Sequence, residues 1–88
     1  MIEDKIILRT SISAPFQQLY IYKNGERVDQ IGAQVSDLSD ILMTAIEKYN
    51  IHQLDVAGFR GYAEGLIRDF KKQYATQYSI DNIVINYV

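Results

Sequence analysis

Eighty-eight residues, 48% hydrophobic and 23% charged, read as one soluble globular domain, too apolar for disorder and too short for two cores. A formal net charge of −2 disfavours a broad phosphate-binding surface, which needs a clustered positive field, but leaves room for a local basic patch. The absence of cysteine and the single histidine, His52, exclude disulfides, thiolate metal sites and a histidine-based zinc site.

The chain opens with MIEDKIILRTS, acids before a short apolar run, without the basic region and long apolar core of a signal peptide. No apolar stretch approaches bilayer length, so the expectation is a cytoplasmic protein with no membrane partner. Thirteen isoleucines and seven tyrosines against one proline suit an AT-rich genome, such as that of a bacteriophage or a low-GC bacterium.

KIILRTSIS (5–13) predicts a strand that ends at Ala14-Pro15, because proline cannot donate to a ladder. QLYIYKNGERVDQIGA (18–33) predicts a hairpin, in which Asn24-Gly25 supplies the positive φ angles of a type I′ turn. SDLSDILMTAIEKYN (36–50) predicts a helix, with Leu38, Ile41, Leu42, Ala45, Ile46 and Tyr49 on one buried stripe. Ser36 is its expected cap, Asp37 and Asp40 suit its positive end, Lys48 suits the other, and Asn50 stops it.

HQLDVAG (52–58) predicts a short strand. FRGYAEGLIRDFKKQYATQY (59–78) predicts a second helix that buries Tyr62, Ala63, Leu66, Ile67, Phe70 and Tyr74 and pairs Glu64 with Arg68 outside. NIVINYV (82–88) predicts the last strand. No repeat, linker or low-complexity segment interrupts this order.

The order β-β-β-α-β-α-β, a three-strand meander followed by two α-β crossovers, resembles the core of the ribonuclease H-like superfamily and the related actin-like ATPases. ILRTSISAPFQQLYIYKNGERV is similar to the opening ILxIDxS…xxxxLxxxxNGxxV of those families. The resemblance implies an α/β fold with a single mixed five-stranded sheet in strand order 3-2-1-4-5. Right-handed crossovers then put both helices on one face. The chain ends before a helix that could cover the other face, so that face is expected to be open.

Strand alternation assigns Ile6, Leu8, Leu19, Ile21, Leu54, Val56, Ile83 and Ile85 to the face beneath the helices. The other face shows Ile7, Arg9, Tyr20, Tyr22, Asp55, Val84 and Asn86, a mixed surface suited to a protein interface. A protein partner, with self-association into a homo-oligomer, is the leading expectation, and Arg9, Tyr20, Tyr22 and Asp55 are its candidate partner-binding residues. The plain structural alternative is that the two tyrosines shield the sheet and keep their hydroxyls wet.

The family's nucleases hold two divalent metals with clustered carboxylates, the first at the D of IDxS. Arg9 stands at that position, and a cation there repels a metal. The actin-like kinases rely on the same aspartate. Asp55 shares Arg9's face, so an Arg9–Asp55 ion pair in place of a metal site is expected. No catalytic residue, metal or cofactor is therefore expected. Ser11, Ser13, Ser36, Ser39 and Ser79 have only His52 as an activating base, and a surface or strand-edge histidine is the simpler reading.

GFRGYAEG resembles the glycine-rich turn GPGSFTG of the tRNA-modifying members of the family, which implies anion binding at Gly58, Arg60 and Gly61. Phe59 and Tyr62 obstruct close backbone approach there. The structural alternative gives Gly58 the strand-to-helix turn and makes Gly61 and Gly65 a smooth stripe for close helix packing. A second alternative is nucleic-acid binding by Arg68, Lys71 and Lys72, with Tyr74 and Tyr78 for stacking. Asp69 within that cluster suits a solvated helix face better.

Overall fold

The predicted elements form in the predicted order, as a five-stranded sheet with two helices packed on one face. The structure, a computed structural model, describes residues 4–75 and 83–88. Its elements are β1 (Lys5–Arg9), β2 (Gln17–Lys23), β3 (Glu26–Ala33), α1 (Leu38–Tyr49), β4 (Gln53–Ala57), α2 (Arg60–Ala75) and β5 (Val84–Tyr87). The strands lie in the order β3-β2-β1-β4-β5. β1 runs antiparallel to β2 and parallel to β4, and β5 runs parallel to β4.

β1 is shorter than its β-rich composition predicts. After Arg9, the backbone N–H and side-chain hydroxyl of Thr10 both donate to the Ala57 carbonyl, at 2.8 and 2.9 Å. The buried amide of Gln17 then captures Ser11. Its Oε1 accepts from the Ser11 N–H at 2.6 Å and its Nε2 donates to the Ser11 carbonyl at 3.1 Å. A side chain thus takes the groups that would have continued the ladder, and the strand stops.

Asn24 and Gly25 take φ values of 54° and 80°, as the type I′ turn requires. The turn sets Lys23 opposite Glu26 and Tyr22 opposite Arg27, and the register then slips so that Ile21 faces Asp29. Val28 is left over as a bulge. Beyond it, parity reverses. Ile31 and Ala33 swing beneath the helices instead of into solvent, although Arg27 two residues before Asp29 stays on the other face.

α1 begins one residue later than Ser36 predicts. Val35–Asp37 forms a 3-10 turn, and Asp37 precedes the helix with no side-chain capping bond. At the other end Asn50 adopts the left-handed conformation (φ 52°, ψ 48°), and its N–H donates to the Ile46 carbonyl. α2 is described as far as Ala75, so the final residues of its predicted span, Tyr78 among them, lie outside the described residues.

Leu42 and Ile46 of α1 join Leu66, Ile67 and Phe70 of α2 in one cluster with Ile6, Leu8, Leu19, Ile21, Leu54 and Val56. The period-two assignment of the covered face, made for β1, β2, β4 and β5, therefore holds on those strands, Ile83 and Ile85 included. Full burial of each such side chain contributes roughly 1.5–3 kcal/mol before conformational entropy is charged against it. Among the described residues, no helix is long and apolar enough to cross a membrane.

Candidate functional site: the open face of the sheet

No described element lies over the second face. Ile7, Arg9, Tyr20, Tyr22 and Asp55 share it, as alternation predicts, and two cations that pattern reasoning passed over join them. Tyr22 stands between Lys5 on β1 and Arg27 on β3, and Tyr20 stands between Ile7 and Gln30. Lys5 Nζ lies 5.9 Å from the Tyr22 ring centre and the Arg27 guanidinium 5.8 Å from that of Tyr20. Each such contact contributes about 0.5–1 kcal/mol at an exposed site and holds the cation beside the ring. Arg27 was legible in the two-residue turn, which places it opposite Tyr22. Lys5 follows from the parity of Ile7 and Arg9.

Arg27, Tyr22, Tyr20, Ile7 and Arg9 line an open depression of about 750 Å³ that reaches Gly58. Among the described residues, Lys5, Arg9 and Arg27 share this face with a single carboxylate, Asp55. In a chain whose net charge is −2, this face is locally positive. The arrangement suits contact with a partner: aromatic and arginine side chains bury area at small entropic cost and are over-represented at binding hot spots.

The Arg9–Asp55 ion pair does not form. In the parallel β1–β4 register Asp55 lies opposite Ile7 and Arg9 lies opposite Ala57, so the charges are offset by two residues along the strands. Asp55 instead accepts from the amides of Gln53 at 3.0 Å and Asn86 at 3.4 Å on its own face. Arg9 is exposed. A buried-pair energy does not apply to it.

Gly58 is structural. Its φ of 127° is open to glycine, and a Cβ there would stand 2.1 Å from Thr10 Oγ1 and 2.7 Å from the Thr10 carbonyl oxygen. Arg60 is already engaged: its Nε donates to Glu64 Oε1 at 2.7 Å, and its guanidinium sits 4.6 Å from the Tyr87 ring centre. Glu64 is thus paired with Arg60, one turn earlier than the predicted partner Arg68. The close-packing stripe is not formed either. A Cβ on Gly65 meets no atom within 4 Å, and one on Gly61 meets only the Phe59 ring, at 3.3 Å.

Arg68, Lys71 and Lys72 are exposed on α2 with Asp69 among them, and Tyr74 is buried against Phe70 with ring centres 5.3 Å apart. A buried ring offers no face for a base. His52 is exposed and contributes its backbone carbonyl to the Val84 N–H, while Ser11 Oγ shares a hydrogen bond with Ser13 Oγ at 3.4 Å. Among the described residues no three histidine, aspartate or glutamate side chains converge on a point that could hold a metal.

The far edge of the sheet carries a different cluster. Tyr49 Oη donates to Asp29 Oδ2 at 2.6 Å, beside a groove of about 290 Å³ floored by Ile31, Ile41 and Ala45 between β3 and α1. That bond, with a second from the Gln30 N–H, holds the Asp29 carboxyl below its ordinary value and pushes the Tyr49 hydroxyl above its own. Comparison of the chain with known protein families, curated proteins and solved structures finds no match in any of the three.

Proposed function

We propose that this chain is a non-catalytic, ribonuclease H-like domain that works in the cytoplasm as an assembly module, binding another polypeptide on the open face of its sheet. The observation that carries this reading is the depression lined by Ile7, Arg9, Tyr20, Tyr22 and Arg27, an aromatic and cationic surface on a face without a covering element among the described residues. Arg9 at the position of the family's first acid supports a binding role over a catalytic one, since a guanidinium there opposes a divalent metal. The engagement of Arg60 by Glu64 and Tyr87 weighs against the glycine turn as an anion site.

An NMR amide-shift titration tests the reading. Mg²⁺, ATP and a short single-stranded oligonucleotide are added in turn, and then the protein's own concentration is raised. Silence toward the small ligands, with concentration-dependent shifts at Ile7, Tyr20 and Tyr22, is the expected result. Shifts gathered at residues 57–65 on adding ATP or the oligonucleotide would replace it with the ligand-binding alternative.

A further inference from the structure

We infer that the polypeptide bound by the open face is a second copy of this chain, which presents not its own open face but the acidic side of α1, so that copies join head to tail. The inference rests on the assembly reading above and adds its geometry.

Two like faces do not suit each other. Packing one open face on another about a two-fold axis brings two sets of Lys5, Arg9 and Arg27 into one interface, with one Asp55 per copy, among the described residues, to offset three cations. Like charges brought together at an interface are strongly unfavourable. An isologous contact is therefore opposed by the composition of the face itself.

The complement lies on the other layer of the same molecule. Asp37, Asp40, Thr44 and Glu47 follow three- and four-residue spacing and form one exposed line along the start and length of α1. Asp29 adds a carboxylate at the adjacent sheet edge, and Lys48 is the one cation of α1. The groove beside this line has an apolar floor of Ile31, Ile41 and Ala45, with Asp40 and Lys48 both on its rim. A tyrosine ring with a neighbouring guanidinium is the chemistry such a groove takes, and Tyr20, Tyr22 and Arg27 present that chemistry on the open face. α2 offers no equivalent complement, because Arg68, Lys71 and Lys72 outnumber Asp69 on its outer side.

A contact between two different patches leaves one free patch of each kind at every step, so it grows into a ring or an open chain. That property supplies the test. Wild-type protein should gain mass with concentration in sedimentation equilibrium, and should lose it as salt is raised from about 20 mM to about 500 mM, where the Debye length shrinks severalfold. The double variant Arg9→Glu/Arg27→Glu and the double variant Asp37→Lys/Asp40→Lys should each stay monomeric. Mixed one to one, they should assemble again, since each supplies the intact patch that the other lacks and the two reversed patches carry opposite charge.

Far-UV circular dichroism confirms that both variants fold. Thr44→Arg, which obstructs the groove without touching the acids, should also block assembly. A wild type that assembles while the Asp37→Lys/Asp40→Lys variant assembles equally well overturns the head-to-tail geometry and leaves open-face assembly standing. A mixture that stays monomeric beside an assembling wild type does the same. A wild type that is monomeric at every concentration, with no shifts at Ile7, Tyr20 or Tyr22, overturns both.

Discussion

The two faces of the sheet are written in the same strands and obey the same alternation, yet they do opposite work. Under the helices, Ile6, Leu8, Leu19, Ile21, Leu54 and Val56 are buried to within 1% of completely and carry no polar atom beyond the backbone. Across the sheet, Lys5, Arg9, Tyr20, Tyr22, Arg27 and Asp55 keep charge or a hydroxyl in water. The covered face defines the fold, because apolar area removed from water is what offsets the entropy of ordering the chain. The open face adds little to stability and is free to carry specificity.

Substitutions can break this contrast, and the largest effect should come from the covered face. Phe70 is fully buried at the centre of the helix layer, so Phe70→Ala should destabilise by about 3–5 kcal/mol in urea unfolding. A loss under about 1 kcal/mol would mean that the core is not packed as described. Gly58→Ala comes next, at about 1–3 kcal/mol from backbone strain alone, with the collision against Thr10 added to it.

Gly65→Ala should act in the opposite direction. A Cβ at that mid-helix position meets nothing, so the variant gains up to about 1 kcal/mol of helix propensity, read as a raised melting temperature. A fall would revive the idea that this glycine serves a close contact, in that case with a partner.

The Tyr49–Asp29 bond makes a prediction in pH. Asp29 titrates below 3.8 in the folded chain, so its contribution is present above that value and is lost as pH falls through the lowered one. Tyr49 titrates above 10.0 when folded, so its contribution is complete below that value and is lost as pH rises through the raised one. Tyr49→Phe should flatten both limbs of a plot of melting temperature against pH. Unchanged limbs would show that the bond does not persist in solution.

The smallest effect sharpens the contrast most. Arg9→Ala should move the denaturation midpoint by no more than about 0.5 kcal/mol, because Arg9 is exposed and has no ion-pair partner among the described residues. The same substitution should weaken assembly measurably. A stability loss of several kcal/mol would instead restore the buried pair with Asp55.

Much of this was legible in the chain. Asn24-Gly25 announced its turn through the φ angles it permits, and the spacing of Leu42, Ala45 and Ile46 announced the buried stripe of α1, because both signals are local. Ile7, Arg9, Tyr20, Tyr22 and Asp55 of the open face followed from counting by twos, whereas Lys5 and Arg27 were passed over. The two failed pairings have different causes. The Arg9–Asp55 pair was drawn from parity, which says which face a residue occupies but not how far along the strand its neighbour sits. Glu64 had candidate partners one turn away on either side, and the Tyr87 ring from β5 helps to hold Arg60, the one it takes.

The sequence by itself therefore determined the order of elements and the sorting of side chains between the faces of β1, β2, β4 and β5, since periodicity and turn chemistry act over a few residues, while the strand order 3-2-1-4-5, which the structure has, was what the family resemblance implied. Register was decided only by tertiary structure. The bulge at Val28 swings Ile31 beneath the helices and sends Asp29 to Tyr49, and the β1–β4 pairing leaves Arg9 beside Ala57. A one-residue slip changes the face of every side chain beyond it, and which slip is lowest in energy depends on what the helices bury.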